Sequence, residues 1–392
     1  MKTIYILLLT FSISLTGISQ NYRGLYVNDF KNIIGDSLLE SELLTYAQDN
    51  DFNYLILYNL TYIHNNTFAI DNATTSIPLS DFIEDAKTNY GILQVAAVGE
   101  KNLSFDKIKI YNSFHTTNPN KQFDVFNLEF EYWNTSLVEP GGYYCNTYLN
   151  GNYPCTIDGA IDFYTTQLAL MKSYGDENGI LAETYIGYLF EQDQTDGIVA
   201  NTHRILVHYY RTSDTYDDGD SIYQYPSSAP DRIEKLASPN TTVIMPIFSA
   251  RPNHMYNWLL TNPLTLPYDT YLNGTNGFND QTGTWTSQVN FDGYVWYRYS
   301  DLLDINNALS TENQAFEERH VYYSSISHEI IFENIEKEST IIINDVSGKE
   351  IANFELNNRY YRIPNNVLNG IYFIRIKSNS KIWNTKILIN QP

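Results

Sequence analysis

The sequence predicts an α/β fold, a (β/α)8 TIM barrel followed by a small all-β sandwich domain, on three observations. Short β-rich apolar runs recur with helical patterns between them, as in a parallel sheet built from repeated strand and helix units. Eight such runs fall within about 290 residues, the count and size of a closed barrel. From about Glu317 the helical patterns give way to short alternating strands and turns. An open doubly wound sheet is the competing arrangement, but no Gly-rich phosphate turn follows the first strand.

The first run is Gly24 to Phe30, followed by a helical pattern from Leu38 to Gln48 with Leu39, Leu43, Leu44 and Ala47 on one face. Tyr54 to Leu60 and Leu93 to Glu100 are the second and third, with helices expected at Pro78 to Tyr90 and Leu103 to Phe114. Phe123 to Trp133 is the fourth. A loop with Pro140, Gly141 and Gly142 then leads to a helix at Ile157 to Tyr174. Ile180 to Leu189, Arg204 to Arg211, Thr242 to Ala250 and Gly293 to Tyr299 complete the eight. The expected domains are a signal peptide at 1–19, a barrel at 20–316 and a β-sandwich at 317–392.

The chain has 392 residues, a net charge of -21 and a pI near 4.6. Nothing basic is concentrated enough to neutralise phosphates, which argues against nucleic acid or anionic membrane as the partner and leaves a neutral ligand or a cation. Lys2, the apolar run from Ile4 to Leu15, and the small residues near Ser19 read as a secretory signal. No later segment is long and apolar enough to be expected to span a bilayer. Cys145 and Cys155 lack a nearby His to complete a zinc site, and in an exported chain they are expected to form a disulfide. No cofactor or metal is expected, and the chain is expected to be a monomer.

The fourth strand carries the chemistry. Asn127, Glu129 and Glu131 alternate with Phe126, Leu128 and Phe130, so in a strand the polar three share one face. Carboxylates so spaced have Cβ atoms roughly 6.5 to 7 Å apart, close enough for each to raise the other's pKa where water is scarce. One can then stay protonated and act as an acid. The active end of a barrel is where its strands finish, and those ends offer Asp29, Tyr58, Tyr185, His208, Tyr210, Trp296 and Arg298. Acids, tyrosines and a tryptophan around one cavity suit a sugar, with hydroxyls to bond and apolar faces to stack. Glu183 and Asp29 are alternatives for a second carboxylate across the barrel. Asp214, Asp217, Asp218 and Asp220 form an acidic loop that does not have EF-hand spacing, and a solvated turn is the simpler reading.

Phe123 to Glu131 aligns without a gap to Phe-Asp-Gly-x-Asp-x-Asp-x-Glu, and the barrel resembles glycoside hydrolase family 18, the chitinases and endo-β-N-acetylglucosaminidases. Ile205 to Tyr210 is similar to that family's Met-x-Tyr-Asp strand, and Gly293 to Trp296 to its last strand, which ends in a sugar-stacking Trp. The resemblance implies hydrolysis of a β-linked glycan, with Glu131 as general acid, Glu129 and Asn127 beside it, and Tyr210 in support. Asn127 and Glu129 stand where the family has Asp, and Tyr210 and Arg211 stand where its strand-six Asp is expected. A barrel that binds carbohydrate without cleaving it is therefore the alternative.

Ile341 to Lys349, Leu368 to Ile376 and Lys386 to Ile389 resemble the type A C-terminal sorting domain of the Bacteroidetes type IX secretion system. That resemblance implies the secretion machinery as a partner, and release from the cell or attachment to its surface.

Overall fold

The computed structural model describes residues 21–306, apart from 190, 213–220, 223–231 and 276. It also describes residues 320–389, apart from 325–327, 334, 336, 338, 347, 365, 366, 379 and 380. The expected signal at 1–19 and the acidic loop from Asp214 to Asp220 lie outside the described residues. Two compact units are present, Met1–Leu303 and Asp304–Pro392.

The first unit is a closed parallel barrel. Its strands are β1 (Tyr22–Val27), β2 (Tyr54–Leu57), β3 (Gln94–Gly99), β4 (Val125–Leu128), β5 (Leu181–Ile186), β6 (Arg204–His208) and β7 (Thr242–Ser249). The eighth position is split into β8 (Val289–Phe291) and β9 (Gly293–Tyr297). Each strand pairs in parallel with its neighbour from β1 to β7; β7 then pairs with β8 and β9, and β9 returns to β1.

These strands read as near-continuous apolar runs because both faces are covered. Inside, Tyr26, Ile56, Ala96, Val125, Leu206 and Val295 pack together. Facing outward, Phe126 stacks on Phe105 at 4.6 Å and on Tyr174 at 5.8 Å. Position 125 therefore faces in and 126 out, the alternation that aims Asn127 into the barrel.

The seam between β9 and β1 depends on glycine. Gly293 has φ +107°, and a Cβ there would lie 1.8 Å from the Tyr22 carbonyl oxygen. The two backbones approach too closely for any side chain.

The longest helix, Ile157–Asn178, begins at Thr156, whose hydroxyl accepts the Gly159 N–H at 3.2 Å, and stops at Gly179 in the left-handed region. It buries Phe163, Tyr164, Leu168 and Met171 against the barrel. Just before it, Cys145 and Cys155 are joined in a disulfide that closes a short loop.

The second unit is antiparallel. A three-stranded sheet comprises β10 (His320–Ser324), β11 (Glu329–Glu333) and β14 (Tyr360–Arg362). A four-stranded sheet, in the order β13 (Glu350–Glu355), β12 (Thr340–Asp345), β15 (Gly370–Ser378) and β16 (Lys381–Ile389), completes it. Ile330, Phe332, Ile341, Ile343, Ile374 and Ile387 share one core. The strand β10 was not expected from the sequence, where its run His-Val-Tyr-Tyr-Ser follows a charged stretch.

Candidate active site at the barrel mouth

The barrel interior holds two polar layers. In the lower one Glu183, on β5, is fully buried and fully bonded. Its Oε1 accepts from Tyr54 Oη at 2.6 Å and Asn127 Nδ2 at 2.7 Å, and its Oε2 accepts from Arg204 Nε at 2.5 Å. The Arg204 guanidinium donates to Gln94 Oε1 at 3.1 Å and lies over the rings of Tyr22 and Tyr54 at 5.1 and 4.7 Å. A buried carboxylate so satisfied is a packing device and does not carry substrate chemistry.

Two expectations are corrected by this layer. Asn127 does not stand at the substrate level; its side chain is wholly buried and turned to Glu183, its register partner on the next strand. Glu183 is not a free second carboxylate either, because Arg204 neutralises it.

Above lies the mouth. The strand β4 ends at Leu128, sooner than the run to Trp133 suggested, but the Glu129 N–H still donates to Gly99 O at 2.9 Å. Glu129 thereby keeps the inward direction. Its side chain is only partly exposed, and burial raises its pKa to about 8, with Glu131 and Glu183 pushing the same way and Tyr26 opposing. The buried Tyr26 hydroxyl is the group that favours the charged form of this carboxyl. Burial thus favours the protonated form of Glu129 at neutral pH.

Glu131 sits one turn further on, partly exposed, with Asn134 Nδ2 at 3.4 Å from its Oε2. The chain curls there, Tyr132 N–H donating to Phe130 O and Asn134 N–H to Glu131 O. Phe130 leaves the barrel interior and stacks on Tyr144 at 4.2 Å.

Aromatic rings line the rest of the mouth. Tyr58 packs on Tyr26 at 5.6 Å, and Tyr297 meets the same ring from the other side at 5.6 Å. Tyr185 Oη and His208 Nδ1 are 2.9 Å apart, and Tyr210 Oη reaches Tyr185 Oη at 3.4 Å. Burial, helped by Arg232, His254 and Arg211, holds the His208 imidazole far below its usual range, so it is neutral. Tyr210 stacks on His254 at 4.9 Å, and His254 Nδ1 lies 2.7 Å from Ser249 Oγ.

Thus Tyr58, Tyr185, His208 and Tyr210 gather at the mouth, where Glu129 acts on Tyr210, and three other expected residues do not join them. Trp296 is 0% exposed, packs on Phe248 at 5.6 Å and donates its indole N–H to Leu264 O at 3.1 Å. It faces the outer layer because Val295 and Tyr297 take the inward positions of β9. Arg298 is held by Asp301 in a fork of 2.6 and 3.2 Å. Asp29 is exposed and accepts from Asn28 Nδ2 at 3.1 Å. Tyr26, Tyr297 and Trp133 belong to the mouth and were not anticipated. The signal for Tyr26 and Tyr297 was strand parity, available once one inward residue on each strand is known.

Among the described residues no group of acids, histidines and cysteines could hold a metal ion, and no helix is long and apolar enough to cross a membrane. No curated protein matches the chain.

Several solved structures are similar at low identity. A β-glucuronidase 2 of Bacteroides uniformis shares 8% identity over 95% of this chain and 46% of its own, with a TM-score of 0.42. A family 18 chitinase of Pseudoalteromonas aurantia shares 14% over 74% and 99%, at 0.38. The YdjI aldolase of Escherichia coli K12 shares 8% over 76% and 81%, at 0.37. The chain spans less than half the length of the glucuronidase, and two glycosidases beside an aldolase select no chemistry. Residues 324–390 match the family model of the secretion system C-terminal sorting domain, so the protein carries an export address and is secreted or held at the cell surface.

Proposed function

We propose that the barrel is a glycoside hydrolase acting on a β-linked glycan, with N-acetylglucosamine-containing chains as the first candidates. The observation that carries this reading is a buried carboxyl group at the mouth of the barrel, its pKa raised by burial, with no cation bonded to it among the described residues and with Tyr26, Tyr210 and Tyr297 near it. A neutral acid in such a place can give its proton to a glycosidic oxygen. Burial raises the Glu129 pKa, so the proposal exchanges the roles expected from the motif: Glu129 is the proton donor and Glu131 its companion acid. The C–O bond breaks toward the leaving oxygen as the proton arrives, and water forms the new bond at the anomeric carbon, directly or by displacing the substrate's own 2-acetamido oxygen, the water's proton passing to the carboxylate that Glu129 has become.

The test is release of new reducing ends from chitin oligomers, N-glycans and plant or algal polysaccharides. Glu129→Gln should abolish it and Glu131→Gln should reduce it. If only Glu131→Gln were inactive, the exchanged roles would be wrong; full activity in both variants would end the hydrolase reading.

One observation favours a second reading, a barrel that binds glycans without cleaving them. Asn127 stands where the resembled family has Asp, and its amide donates to Glu183, so it offers no carboxylate to a partner acid above it. Oligosaccharide binding by the unmutated protein, with no product released, would select that reading.

A further inference from the structure

We propose that Trp133 is the platform on which the mouth seats the flat face of a neutral pyranose ring. The inference rests on the carbohydrate reading above and names the surface that meets the sugar. Trp296, the side chain expected there, is sealed in the outer layer.

The turn after β4 brings Trp133 into position. It sends Tyr132 outward, where its ring packs on Tyr164 at 4.9 Å and its hydroxyl donates to Tyr188 O at 2.6 Å. The next residue therefore swings back over the barrel. Trp133 packs against the interior cluster in company with Tyr58, Tyr210 and Tyr297, and it remains partly exposed. A rigid indole left partly open at a polar mouth offers an apolar face to a ligand.

Its orientation is fixed from below. Tyr185 meets the indole edge-on at 5.5 Å and 67°. Gly187, just past β5, gives the indole its room: a Cβ there would lie 2.6 Å from Trp133 Cζ2 and 2.9 Å from His208 Cε1. The backbone at Gly187 is not in the left-handed region, so close approach is what calls for glycine. Trp133 and His208 share the space that a side chain would have filled.

A rigid indole beside several phenol hydroxyls and a neutral carboxyl matches a pyranose, which offers C–H bonds on one face and hydroxyls around its edge. The overall charge of -21 disfavours uronic and sulfated chains and favours neutral ones.

The experiment titrates the full-length protein, in a Glu129→Gln background to prevent turnover, with neutral tetrasaccharides of β-linked N-acetylglucosamine, glucose, mannose and xylose. Calorimetry gives affinity, and tryptophan emission reports on the indole. For the sugar that binds, Trp133→Ala should weaken affinity about tenfold or more, a stacking contribution on the order of 1.4 kcal/mol. Trp133→Phe should lose less affinity but lose the ligand-induced change in emission, and Gly187→Ala should weaken binding by displacing the indole. Because Trp133→Phe keeps a ring in the cluster, it decides the matter if the alanine variant fails to fold. Undiminished affinity and an unchanged emission response in that variant would overturn the role of Trp133 while leaving the carbohydrate reading intact. If the parent bound no sugar in the set, both would fall.

Discussion

Two glutamates face the inside of the same barrel and have been given opposite surroundings. Glu183 meets an arginine, a phenol and an amide, and both of its oxygens are bonded. Glu129, one layer up, has no bonded cation among the described residues and is pushed toward the neutral form by burial. A charge that is paired and sealed holds strands together; an acid that is buried but unpaired, at an opening, is poised to lose its proton to something that arrives. The difference is in the neighbours, since the two side chains are chemically identical.

The sharpest break of this comparison is in turnover. Glu129→Gln should cost about a hundredfold or more, the contribution of a general acid, with thermal stability kept or slightly raised, as followed by reducing-end assay and calorimetry. A variant that lost stability along with activity would make Glu129 another packing residue.

Next in size is Arg204→Met, which strands the Glu183 carboxylate. It should cost about 3–5 kcal/mol in urea unfolding, and a second change, Glu183→Met, should restore much of it. Tyr54→Phe removes one bond to the same carboxylate and should cost about 1.5–3 kcal/mol.

The last effect is a slope. Glu129 has a pKa of about 8 in the fold against an ordinary 4.5, so between those values the folded protein binds more protons than the unfolded one. Its contribution to stability therefore falls as pH rises through that window and levels off above about 8. Unfolding measured across the window should show this decline in the parent and its loss in Glu129→Gln. Turnover should fade over the upper end of the same range as the proton donor is lost.

Much of the barrel was legible because each strand is a compact apolar run and the helices between them carry their own periodicity. On β4 the alternation of Asn127, Leu128 and Glu129 declared which face was which. The last strand gave no such sign: Tyr294, Val295, Trp296 and Tyr297 are all large and apolar, so the direction of Trp296 waited on register with β1 and β7. The Glu183–Arg204 pair was hidden for a different reason. Both residues look like ordinary charges in sequence, and only closure of the ring sets them beside Tyr54 and Gln94 from its far side. Trp133 was hidden by the turn at Glu131 to Asn134, which ends the strand before its alternation would have run out.

The contact between Tyr22 and Gly293 makes the first strand wait for the last. Until residue 293 has been made and brought home, β1 has only β2 to pair with, and its other edge stays open to competing partners. A methyl group at that one position would meet the Tyr22 carbonyl and hold the two strands apart where they first join.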